Sequence, residues 1–99
     1  MKRIQVLLTS HLIERINERV FEFDNDRATP LRSMNKYFRN GILAKDSHGD
    51  DAKIFFEGQS FALAVVHEGH RYVGITMKFM FRPKIKGEKV AIQYLEYNK

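Results

Sequence analysis

The chain has 99 residues, 43% hydrophobic and 29% charged, and its 17 Lys and Arg against 12 Asp and Glu leave a net charge of +5. This length builds one core rather than two, and the composition is not that of a disordered chain, so residues 1–99 are expected to form a single domain. Cysteine is absent, which excludes disulfides and thiolate metal sites and fits a reducing, cytoplasmic setting.

The apolar stretch within Met1–Leu8 is too short for a signal peptide and breaks at once into His11 and Glu14, so it reads as a mature strand over Arg3–Leu8. Ile4, Val6 and Leu8 then point one way. Ser10 is a suitable N-cap for a helix running to Phe23, and Asp24-Asn25-Asp26 ends it. A second helix starts at Thr29-Pro30 and stops at Asn40-Gly41. Helical spacing predicts Leu12, Ile16, Val20, Leu31, Met34 and Phe38 as the faces that dock on a sheet. Lys45–Asp51 is a polar loop.

Strands follow at Lys53–Glu57 and Phe61–Val66, the latter apolar on both faces as in a strand covered on both sides. His67-Glu68-Gly69-His70 is a hairpin turn. Arg71–Arg82 alternates, with Val73, Ile75, Met77, Phe79 and Phe81 on one face and Tyr72, Thr76, Lys78, Met80 and Arg82 on the other. Pro83 ends it, and Val90–Tyr97 is the last strand. The expected class is α+β in the order β-α-α-β-β-β, two helices packed on one face of an antiparallel sheet. No segment approaches the roughly 20 apolar residues that a membrane-spanning helix needs.

Basic residues concentrate at Lys78, Arg82, Lys84, Lys86 and Lys89, opposed only by Glu88. Such a run favours a partner with repeated negative charge, most simply RNA. On the first helix His11, Arg15 and Arg19 stack on one face, an imidazole that can move a proton beside two cations that can hold anionic oxygens. The same arginines also suit ion pairs with Glu18 and Glu22 on a solvated helix. Lys78, Arg82, Lys84 and Lys86 are the candidate phosphate contacts, and Tyr72 and Tyr94 the candidate base-stacking platforms. His67 and His70 have no carboxylates at ligand spacing, and no phosphate loop or nucleophile motif is present, so neither metal nor cofactor is expected.

The segment Ser10-His11-Leu12-Ile13-Glu14-Arg15 resembles the Ser-Gln-His-Leu-Leu-Asp-Arg helix segment of small metal-independent endoribonucleases of the RelE and RegB type. The order of elements in a small basic chain is similar too. The resemblance implies cleavage of mRNA, free or bound to the ribosome, with His11 and Arg15 as catalytic residues; from the charges alone, Arg15 and Arg19 also suit a role as phosphate clamps. A second histidine of that family has no counterpart here, where the chain reads Thr29-Pro30-Leu31-Arg32. A function of another class fits the same charges: a non-enzymatic phage or mobile-element protein that inhibits a host protein or coats nucleic acid.

Overall fold

A computed structural model describes residues 1–21, 28–45, 51–56, 58–79 and 86–96. They form β1 (Lys2–Leu8), α1 (Ser10–Ile16) with a π-helical continuation (Asn17–Phe21), and α2 (Ala28–Tyr37). Five strands follow: β2 (Asn40–Lys45), β3 (Asp51–Phe55), β4 (Phe61–Glu68), β5 (Arg71–Phe79) and β6 (Glu88–Glu96). The six strands close into a barrel in the order β1-β5-β4-β3-β2-β6. Its core includes Val6, Leu8, Leu43, Ile54, Leu63, Val65, Met77, Val90 and Tyr94.

Closure corrects the expected open sheet with helices on one face, and two features of the chain cause it. The first is β2, which lies where the sequence suggests a helix stop and a loop. Gly41 is not a stop signal. A Cβ there would stand 2.7 Å from Ile54 Cγ2 and 2.9 Å from the Phe55 carbonyl oxygen, so glycine is needed for β2 to lie against β3. The second is the direction of β1, which runs parallel to both neighbours, from Lys2↔Val90 to Leu8↔Glu96 on β6 and from Val6↔Tyr72 to Leu8↔Gly74 on β5. With β1 and β2 inserted, each of the six strands has a neighbour on both sides, and the open edges of a sheet are gone.

The strands are staggered, so two corners lack a strand partner, and each helix covers one. Beyond Leu8, β1 no longer accompanies β5. There Thr9 Oγ1 donates to the Gly74 carbonyl at 3.0 Å, and Arg19 Nη1 donates to the Met77 carbonyl at 2.9 Å. On β6, β2 pairs only with Glu88–Ala91. Farther along, the Ile92 N–H donates to the Arg39 carbonyl at 2.6 Å and the Tyr94 N–H to Asn35 Oδ1 at 3.1 Å. Backbone groups that a sheet would have paired are thus paired by groups on the helices or just beyond them.

Thr9, one residue before the expected Ser10, is the N-cap of α1: its backbone is extended (φ −78°, ψ 159°) and its hydroxyl accepts the Leu12 N–H at 3.1 Å. Leu12, Ile13 and Ile16 are buried, as are Met34 and Phe38 of the second helical region, and Leu31 is partly buried against the core. Fully burying each large aliphatic side chain stabilises by about 1.5–3 kcal/mol, which holds these short helices in place. The side chain of Val20 lies outside the described residues.

A β-bulge interrupts the β4–β5 pairing: Val65 pairs with Gly74 and Ala64 with Thr76, leaving Ile75 unmatched. One extra residue inverts the alternation of everything beyond it. Tyr72 and Gly74 before the bulge and Met77 after it are therefore buried, whereas Thr76 and Lys78 belong to the outer wall. The single alternating face expected over Tyr72, Thr76 and Lys78 does not exist.

Candidate nucleic-acid interface

Register builds a continuous row across the outer wall: Ala44 on β2 pairs with Lys53 on β3, Lys53 with Ala64 on β4, and Ala64 with Thr76 on β5. The next row is Ile42, Phe55, Ala62 and Lys78. Alanines between larger neighbours leave a depression, and the bulge thrusts Ile75 outward beside it, 40% exposed. The result is a hollow of about 500 Å³ with Ala44, Ala64 and Thr76 as its floor and Phe55, Val66 and Ile75 among its walls.

Lys45, Lys53 and Lys78 also line this hollow. Lys45 and Lys78 are exposed, and Lys53 is half-buried, its stem between Ala44 and Ala64. The β3 and β5 backbones that carry Lys53 and Lys78 lie two strand spacings apart, roughly 10 Å. Among the described residues no carboxylate pairs with any of the three lysines. Concavity, an apolar floor and positive charge that no carboxylate among the described residues pairs with therefore coincide at one place on the wall.

The residues singled out from the sequence scatter. Lys78 lies at the hollow. Lys86 is exposed just before β6, and Arg82 and Lys84 lie outside the described residues. His11 is exposed on α1, away from the buried face formed by Leu12, Ile13 and Ile16. Arg15 Nη1 binds Glu18 Oε2 at 2.7 Å, so the alternative of an ion pair along the helix is the one realised. Arg19 is held by the Met77 carbonyl. Tyr72, 4% exposed, stacks on His67 with centroids 4.6 Å apart, and Tyr94 is 2% exposed; neither ring offers a face to a base. Among the described residues, the large aromatic rings that do face solvent are Tyr37 and Phe79.

Lys45 and Lys53 escape a reading based on the density of basic residues, because they stand alone in sequence. The signal for them is weaker: Ala44, Ala62 and Ala64 are small residues in otherwise apolar strands, and a lysine strand alongside fills the gap with charge. Among the described residues no group of three His, Asp or Glu side chains is placed to hold a metal. Among them, too, no helix is long and apolar enough to cross a membrane. In comparisons of sequence and of fold, no protein-family model, no curated protein and no solved structure matches the chain.

Proposed function

We propose that this chain is a small basic RNA-binding protein that engages RNA through the outer wall of β2–β5. The observation that carries the reading is the placement of Lys53 and Lys78 at one hollow on the outer wall, with Lys45 at the end of β2 beside it and no carboxylate among the described residues paired to any of them. A polyanion gains most from such a site, because each phosphate it places there releases a condensed counterion. The test is RNA affinity across a salt series for the wild type and for Lys45→Gln/Lys53→Gln/Lys78→Gln. Affinity should fall, and the salt slope should flatten by about 0.7 for each phosphate of a single strand that is no longer neutralised. An unchanged slope would remove RNA as the partner and leave the competing view of a protein that acts on another protein.

A second reading, a metal-independent endoribonuclease acting on mRNA, draws support from the solvent-exposed imidazole of His11 one helical turn before Arg15. The Arg15–Glu18 pair at 2.7 Å counts against it, since a carboxylate occupies the guanidinium a phosphate would need. The pair is exposed, so phosphate could displace it at little cost. RNA incubated with the wild type and with His11→Ala in EDTA decides: cleavage by the former and not by the latter supports the reading, and intact RNA in both overturns it.

A further inference from the structure

We infer that the hollow receives one unpaired nucleotide of single-stranded RNA, with its base on the Ala44, Ala64 and Thr76 floor and its flanking phosphates at Lys53 and Lys78. The inference rests on the RNA-binding reading and adds the form of the RNA.

Three observations lead there. Attraction of a polyanion by charge alone needs only lysines on a flat or convex surface, and the outside of a barrel is ordinarily convex. Here the lysines surround a depression of about 500 Å³, within the size range of small-molecule sites and too confined for a duplex. Duplex RNA offers it a ridge of phosphates, whereas a splayed single strand offers a flat apolar ring with charge on either side. The walls match that ring. Phe55, Val66 and the alanine methyls give apolar contact, and Ile75, pushed out by the bulge with no core position to fill, stands at the rim where it can cover a base. Thr76 is the one neutral hydrogen-bonding side chain among the lining residues, so the site has little with which to tell one base from another.

The experiment compares anisotropy titrations of a short single-stranded RNA, the same sequence annealed to its complement, and a uridine homopolymer, all at one salt concentration. Wild-type protein should bind the single strand about tenfold or more tightly than the duplex, the size of one base contact. The homopolymer should bind within a few-fold of the mixed sequence. Ala64→Leu should fill the hollow, lower single-strand affinity about tenfold and leave duplex affinity unchanged. Ala44→Leu fills it from the opposite side and should act alike, with thermal melts confirming that each variant is folded. Equal or tighter binding of duplex by the wild type overturns the inference whatever the variants do. Folded leucine variants that bind single strands normally also overturn it. If Lys53→Gln/Lys78→Gln still weakens binding in that case, the RNA reading survives without the hollow. If the lysine variant binds as wild type does, the RNA reading itself fails.

Discussion

Arg19 reaches past the end of β1 and donates from Nη1 to the carbonyl oxygen of Met77 at 2.9 Å. A guanidinium on a helix thereby completes the edge of a β-strand, at the corner where the barrel has no strand to spare. Replacing Arg19 with Gln should cost about 1 kcal/mol in urea denaturation, the ordinary value for a partly exposed hydrogen bond, and leave RNA affinity near wild type. Weaker RNA binding with unchanged stability would return Arg19 to the phosphate-contacting set.

Gly74 is fitted to Leu12. A Cβ at position 74 would collide with Leu12 Cδ2 and stand 3.2 Å from the Leu7 carbonyl oxygen. Gly74→Ala should destabilise by about 1–3 kcal/mol, as overpacking does. Leu12→Ala should also destabilise, by about 2–5 kcal/mol, since its side chain is fully buried. The double variant should be more stable than the sum of the two losses, because the truncated side chain makes room for the added methyl. Strict additivity in a double-mutant cycle would show that the strain at position 74 comes from the backbone instead.

The Tyr94 hydroxyl is buried with no hydrogen-bond partner among the described residues, and burial holds its pKa well above the usual 10.0. The raised value belongs to the folded state, so the unfolded chain releases this proton first. Stability is therefore at its full value below about pH 10 and declines as pH climbs from there toward the folded-state pKa, at about 1.4 kcal/mol per unit. Tyr94→Phe deletes an unsatisfied oxygen and should be neutral or stabilising at pH 7, with a shallower loss above pH 10 than the wild type. Thermal melts over that pH range measure both effects. A large loss at neutral pH would mean that the hydroxyl has a partner inside the barrel.

Local features are legible in the chain to the extent that local chemistry decides them. The turn after Glu68, the buried faces of the two helices and the apolar run at Phe61–Val66 follow from periodicity and turn residues, which act over a few positions. What fails depends on partners distant in sequence. Nothing in Arg3–Leu8 says that it will lie parallel to its neighbours. Nothing in Gly41-Ile42-Leu43-Ala44 separates a short strand from the tail of a helix. The inversion at Ile75 is equally silent, because a bulge is set by the opposing strand, and it alone turns Tyr72 to the interior while leaving Lys78 outside. The candidate site inherits that limit. Register sets Lys53 and Lys78 on the two sides of β4, so a count of nearby charges in sequence finds the second and misses the first.

The parallel placement of β1 has a bearing on how the chain is made. Its two partners are β5 and β6, both later in the chain, so this strand has nothing to pair with until Tyr72–Gly74 and Val90–Glu96 have been synthesised. Until then Val6, Leu7 and Leu8 are an apolar strand with both edges open, the kind of segment that joins other nascent chains. Closing the barrel also brings together residues far apart in sequence, which slows folding relative to a chain of local hairpins. The antiparallel run β3-β4-β5 is built from strands adjacent in sequence, whereas β1 joins partners far along the chain.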